Sequence, residues 1–210
     1  MIFFSDKADK NGARVAARLG KELGGAATAY RTEVQGEEVR PRTLGSALRE
    51  SIGELGEGPT IRPMYTFHFE LSAPRPFTLG VTVINVGGIT VVGALRYAAR
   101  LRGRLGGAVF LEEEKALHRS RFTGDTAGAE RLNAAPGLVK RTNRFLRGEL
   151  ALREGEKVTL ERELVLAPDG DGVRIAAATL PRKTWFGLGA RLDAADFVAI
   201  AGLAEATLAR

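Results

Sequence analysis

The feature that most constrains the fold of this chain is an uncharged segment, residues 76–95, with the sequence PFTLGVTVINVGGITVVGAL. Its length and hydropathy suit a membrane span, which needs about twenty apolar residues. However, it contains four glycines and Asn85, whose side chain is costly in hydrocarbon. Its first half alternates with a period of two, which is typical of a strand packed on one side, with Phe77, Leu79, Val81 and Val83 on one face. We therefore predict a buried strand, with a membrane span as the alternative.

The second half of the segment changes period after Gly87 and Gly88. Ile89, Val92, Tyr97 and Leu101 are spaced for one face of a helix. The sequence therefore predicts a glycine turn at residues 87–88, followed by a helix that enters a basic stretch.

The rest of the chain favours an α+β fold made of two helix-plus-antiparallel-sheet halves packed together, residues 1–108 and 109–210. The first half combines a helix over 8–24, a hairpin over 29–42, a helix near 44–55 and an alternating strand over 64–71 that pairs with the Phe77 strand. The second half combines a helix capped by Asp125, a helix from Pro136 to about Arg147, and strands over 157–166 and 173–180. A final helix begins near Asp193, with a buried stripe through Phe197 and Leu208.

Composition excludes some function classes. The chain has no cysteine, so disulfides and thiolate chemistry are excluded, which fits a reducing compartment. The first residues are too short an apolar run for a signal peptide, because Asp6 follows at once. We expect a cytoplasmic protein, and peripheral association with the inner membrane is a second option.

Three segments resemble a broad group of uncharacterised bacterial α+β proteins, a domain of unknown function. They are the helix ending at residues 17–24 (ARLGKELG), the strand VQGEEV at 34–39, and RFTGD at 121–125 with Arg131, Leu132 and Asn133. The resemblance covers about two thirds of the chain. It implies a globular α+β module working at a membrane, and it transfers no activity and no catalytic residue.

Few residues suggest catalysis. His68 and Glu70 lie on the polar face of the predicted 64–71 strand, where His68 could act as a general base. Together with Arg162 they define an alternative function, an enzyme or small-molecule-binding protein with a pocket between the sheets. Glu114 and His118 supply two ligands where zinc requires three or four, so we predict no metal. We predict no cofactor either, since no phosphate-binding loop is present.

The distribution of charge is more informative. The chain carries a net charge of +6, and residues 61–110 hold six basic residues against one acidic residue. Two basic stripes are predicted on helices: Arg96, Arg100 and Arg104, and Lys140, Arg141, Arg144 and Arg147. We interpret them as anion-binding candidates, and the alternative is a solvated helix face that keeps the protein in solution.

A second candidate interface is the loop that contains Arg182, Lys183, Trp185 and Phe186, because tryptophan beside cations suits a membrane or protein interface. The alternative, which ranks first, is that Trp185 folds back on the core. The leading hypothesis is a non-enzymatic interaction module that docks on an anionic surface, a membrane leaflet first, through the two basic stripes. A protein partner is a further option, and binding to a nucleic acid backbone ranks below both because few aromatic residues lie near the basic groups.

Overall fold

The computed structural model of the chain describes residues 2–3, 8–33, 61–86, 89–114, 119–146, 163–179, 182–183 and 189–210. These residues form an α+β fold, which confirms the predicted class. The described helices are α1 (Ala8–Leu23), α2 (Thr126–Ala134), α3 (Leu138–Leu146) and α4 (Ala194–Leu208). The predicted helix near 44–55 lies outside the described residues.

Within the described residues, the main sheet has eight antiparallel strands: β2 (Ala27–Glu33), β3 (Ile61–Leu71), β4 (Phe77–Val86), β5 (Ile89–Leu101), β6 (Val109–Glu114), β7 (Arg119–Gly124), β8 (Glu163–Asp169) and β9 (Gly172–Thr179). Their spatial order is β2-β3-β4-β5-β9-β8-β6-β7. A small second sheet has the order β1-β11-β10, built from β1 (Ile2–Phe3), β10 (Arg182–Lys183) and β11 (Gly189–Arg191).

The two predicted halves are not confirmed. Strand β5 from the first half pairs along seven residues with β9 from the second half, from Leu95 opposite Thr179 to Leu101 opposite Val173. The described strands of both halves therefore share one continuous sheet. This pairing also brings side chains together that are far apart in the sequence.

The uncharged segment 76–95 contributes to two neighbouring strands, β4 and β5, and residues 87–88 lie outside the described part of the chain. Strand β4 pairs with β3 as predicted, but the predicted helix after the glycines is wrong, since residues 89–101 form β5. A bulge explains the misleading period. Thr82 lies opposite Ala94 and Val83 opposite Val92, so Gly93 is an extra residue that shifts the alternation. The core-facing residues consequently follow a spacing that mimics a helix.

The described helices lie on one face of the main sheet, which we call the covered face. Helix α1 begins this layer, with Gly12 lying against the ring of Phe67. Helix α4 supplies Phe197, which is fully buried, with its ring centroid 5.1 Å from Tyr97 and 5.8 Å from Phe77. Phe145 of α3 packs edge-on against Tyr97 at 5.1 Å. These large side chains form the hydrophobic core.

Helix α2 joins the core layer to the edge of the sheet. Its N-cap is Asp125, as predicted, and the side chain accepts a hydrogen bond from the backbone N–H of Gly128 at 3.0 Å. At its other end, the Asn133 side chain bonds both backbone groups of Phe122, donating to its oxygen at 2.9 Å and accepting from its N–H at 2.8 Å. Because β7 is at the edge of the sheet formed by the described strands, this amide provides the hydrogen bonds that a neighbouring strand would make to Phe122.

The positions of three predicted elements are refined. Helix α3 begins at Leu138, two residues after Pro136. Strand β8 extends to Asp169, so the tight turn comprises residues 170–171. The buried stripe of α4 is confirmed, and Asp193 occupies its N-cap position, but the Asp193 carboxylate does not accept the capping hydrogen bond.

Glu205 ties the end of α4 to the sheet. Its carboxylate accepts from the guanidinium of Arg75 at 2.7 Å and from the backbone N–H of Arg102 at 2.8 Å. The pKa of Glu205 is lowered, chiefly by the Arg102 N–H and also by Arg75, against an opposing effect of burial. The ionised carboxylate therefore fastens α4 to the end of the sheet where β4 begins and β5 ends.

Candidate functional site

The candidate site lies on the opposite side of the main sheet, which we call the open face. Side chains alternate along each strand, so residues next to the core positions point to this face. Cross-strand register arranges them in rows. One row runs His68, Gly80, Arg96, Ala178 and Glu163, and the next runs Glu70, Thr78, Ala98, Ala176 and Val165. A third contains Arg100, Arg174 and Ala167.

The residues in the middle of this face are small. Ala98 of β5 lies directly opposite Ala176 of β9. In the neighbouring row, Gly80 of β4 and Ala178 of β9 lie on the two sides of Arg96. Longer side chains surround them, because Arg96 lies in the first row and Arg174 in the third. The sheet therefore has a shallow floor between two arginines.

A cavity of about 270 Å³ occupies this floor. Its lining includes Gly80, Ala98, Ala176 and Ala178 below, and charged or polar groups at the rim: Arg96, Arg174, Glu163 and His68. A larger cavity of about 790 Å³ adjoins it and shares Thr78, Ala98 and Arg174. The larger cavity extends toward the turn between β3 and β4, at Ser72 and Pro76.

The arginines of the open face differ in their partners. Arg100 is engaged by the turn between β8 and β9, since its guanidinium pairs with the Asp171 carboxylate and donates to the Asp169 backbone oxygen at 3.1 Å. Arg96 and Arg174 are both exposed, and within the described residues neither has an ion-pair partner. The same holds for Glu163. These three are the Arg and Glu side chains that line the smaller cavity, and they can bind a ligand there without breaking an ion pair within the described residues.

Two threonines of the open face lie within hydrogen-bond distance of each other. The hydroxyl oxygens of Thr66 and Thr82 are 3.2 Å apart on adjacent strands, which is hydrogen-bond distance. Thr66 is buried although it lies on the open face. This pair therefore belongs to the floor rather than to the groups that contact a ligand.

The first predicted basic stripe is separated by the structure. Arg96 and Arg100 lie on the open face of β5 rather than on a helix. Arg104 lies beyond the end of β5 and is exposed, with its backbone oxygen accepting from Arg131. The stripe therefore does not form a single row.

The second predicted stripe lies on the other side of the sheet. Lys140, Arg141 and Arg144 are exposed on α3, whose opposite side buries Phe145 against Tyr97 of the covered face. Arg147 lies outside the described residues. The two basic groups are consequently on opposite layers of the molecule, so a flat surface that contacts one cannot contact the other.

The remaining candidates are distributed as follows. Arg182 and Lys183 form β10, and Trp185 and Phe186 lie outside the described residues. His68 and Glu70 are on the open face, where His68 lines the smaller cavity and Glu70 the larger. Arg162 lies outside the described residues. Over the described ranges, no three His, Asp or Glu side chains come together in a way that could hold a metal ion.

Arg174, Glu163 and the floor alanines Ala176 and Ala178 were not predicted as site residues from the sequence. Their positions on strands carried a signal, because Arg174, Ala176 and Ala178 alternate with buried residues of β9. The sequence does not show that β9 pairs with β5, and this pairing brings residues from distant segments into one site.

The chain matches no family model, no curated protein and no solved structure. In addition, no helix within the described part of the chain is long and apolar enough to span a membrane.

Proposed function

We propose that this protein is a binding module that holds a small anionic molecule on the open face of its main sheet. The observation that carries the proposal is the pair Arg96 and Arg174, which line one cavity and have no ion-pair partner among the described residues. An arginine presents several N–H donors in a planar fork, which matches a carboxylate or a phosphate.

The shape of the floor supports a small molecule rather than a large surface. Small side chains below two long cations leave a concave space of about 270 Å³, which is just under the usual size of a ligand pocket. Filling that space would exclude water from the arginines and strengthen their attraction to an anion. This proposal develops the small-molecule alternative of the sequence analysis.

A titration followed by two-dimensional ¹H–¹⁵N NMR tests the proposal. The probes are glutarate, a small dianion, and glutaramide, its neutral analogue of similar size. We expect glutarate to shift the amide signals of Gly80, Arg96, Ala98 and Arg174, and to do so less at high salt because added ions screen exposed charges. Glutaramide should leave them unchanged. Equal shifts with both probes, or none with glutarate, would refute anion binding at this face.

Docking on an anionic membrane is the second candidate, now through α3 alone. It is supported by the exposure of Lys140, Arg141 and Arg144 on the side of α3 that faces away from the core. Each basic residue near an anionic leaflet contributes about 1 kcal/mol. Co-sedimentation with phosphatidylserine vesicles should then fall in the double variant Lys140→Glu/Arg141→Glu and be unchanged in Arg96→Gln. Equal sedimentation of both variants and the native protein would contradict this role for α3.

A further inference from the structure

The charges around the smaller cavity indicate which anion it fits. Two cations, Arg96 and Arg174, and one carboxylate, Glu163, line the same space, and none of the three has an ion-pair partner among the described residues. A simple anion would satisfy the arginines but would be repelled by Glu163. A ligand that complements all three groups carries two anionic groups and one cationic group.

The register of the strands separates these groups in a specific way. Arg96 and Glu163 lie in the same row with Ala178 between them, two strand spacings or about 10 Å apart at Cα. Arg174 lies on β9, the strand next to β5. The residue of β9 opposite Arg96 is Ala178, four residues from Arg174, so the Cα atoms of Arg96 and Arg174 are about 14 Å apart. One end of the cavity therefore has a cation and an anion on the two sides of Ala178, and the other end has a second cation.

Resting on the proposed function, we infer that the site binds a free acidic α-amino acid. The α-carboxylate and α-ammonium groups share one carbon and would lie between Arg96 and Glu163. The side-chain carboxylate would reach Arg174, and the methylene groups would lie on the floor made by Ala98 and Ala176. The volume of about 270 Å³ accommodates a ligand of this size.

Calorimetric titration of the full chain with four probes tests this inference. L-glutamate has all three charged groups, glutarate lacks the ammonium, L-norvaline lacks the distal carboxylate, and glutaramide has no charge. We expect L-glutamate to bind about tenfold more tightly than glutarate or L-norvaline, because each lost group removes a charged hydrogen bond. Glutaramide should not bind.

Two variants link each preference to its residue. In Glu163→Gln the preference for L-glutamate over glutarate should disappear, and in Arg174→Gln the preference over L-norvaline should disappear. Arg121→Gln is the control for Arg174→Gln, because it makes the same charge change at an exposed position of β7 that lines neither cavity. It should bind every probe as the native protein does.

A third variant tests the location. Gly80→Leu should abolish binding, because a Cβ at Gly80 meets its nearest neighbours at an ordinary 3.6–3.8 Å and a larger side chain would extend into the cavity. Circular dichroism should show that this variant remains folded. If instead it keeps the native affinity, the site lies elsewhere and the inference fails.

The two proposals fail in different ways. If glutarate binds at Arg96 and Arg174 as tightly as L-glutamate, the acidic amino acid is wrong and the anion-binding module stands. If neither compound binds, both proposals fall.

Discussion

The two faces of the main sheet are made by alternate residues of the same strands, yet their chemistry differs. On β9, Ile175 and Ala177 are buried under the helix layer, whereas Arg174 is exposed and Ala176 is half-buried on the open face. The covered face is filled by aromatic and aliphatic side chains, and the open face has small side chains between charges. Alternate residues of one strand can therefore have different roles: one set packs in the core and stabilises the fold, and the other set lines the candidate site.

The largest expected effect is on the covered face. Phe197→Ala should lower the free energy of unfolding by about 3–5 kcal/mol, since it removes a fully buried ring that contacts Tyr97, Phe77 and Phe145. Urea denaturation measures the change. Arg96→Gln on the open face is the comparison and should change stability by no more than about 0.5 kcal/mol. A similar loss of unfolding free energy in both variants would contradict the view that the covered face stabilises the fold and the open face does not.

Neighbouring alanines of β9 provide a closer comparison of the two faces. Ala177→Leu should destabilise by about 1–3 kcal/mol, because it forces extra methyl groups into the packed core. Ala176→Leu should change stability little and should weaken binding of glutarate, because it fills the floor of the smaller cavity. Thermal or urea denaturation together with calorimetry separates the two effects. An Ala176→Leu variant as unstable as Ala177→Leu would show that the open face is also packed.

Asn133 tests how the covering layer is attached at the edge of the sheet. Asn133→Ala should cost about 1–2 kcal/mol, because both backbone groups of Phe122 lose their partner. Asn143→Ala is the matched control, since it removes the same side chain from α3. We expect that variant to change stability by less than about 0.5 kcal/mol. Equal effects would indicate that the two bonds to Phe122 contribute little.

Glu205 should have the smallest effect, and it depends on pH. Because its folded-state pKa is lowered, its contribution is fully present above the unfolded-state pKa, for which the ordinary value is 4.5, and is lost as pH falls through the lowered folded-state value. Glu205→Gln should cost about 1 kcal/mol at neutral pH. Denaturation at neutral and acidic pH should show the difference from the native protein shrinking on acidification. A difference that is constant with pH would contradict a role for the ionised carboxylate.

Several elements were predictable because their signals are local. The alternation of Phe77 to Val83 and the stripe of α4 each report burial on one side of a regular element. Strand β5 was mistaken for a helix because the bulge at Gly93 displaces its core residues by one position. Strand order was beyond reach, since nothing near Arg174 in the sequence shows that β9 pairs with β5. The candidate site depends on that pairing, so only Arg96, Arg100, His68 and Glu70 could be singled out beforehand.

The most direct test of the central claim is thermal denaturation of the native protein and of the double variant Arg96→Gln/Arg174→Gln, each with and without glutarate. If these arginines serve binding rather than folding, both proteins should have the same Tm without ligand, and only the native Tm should rise when glutarate is added. Arg121→Gln should behave as the native protein does. A double variant that melts earlier without ligand, or whose Tm rises as much as the native one, would contradict the assignment of the open face to binding.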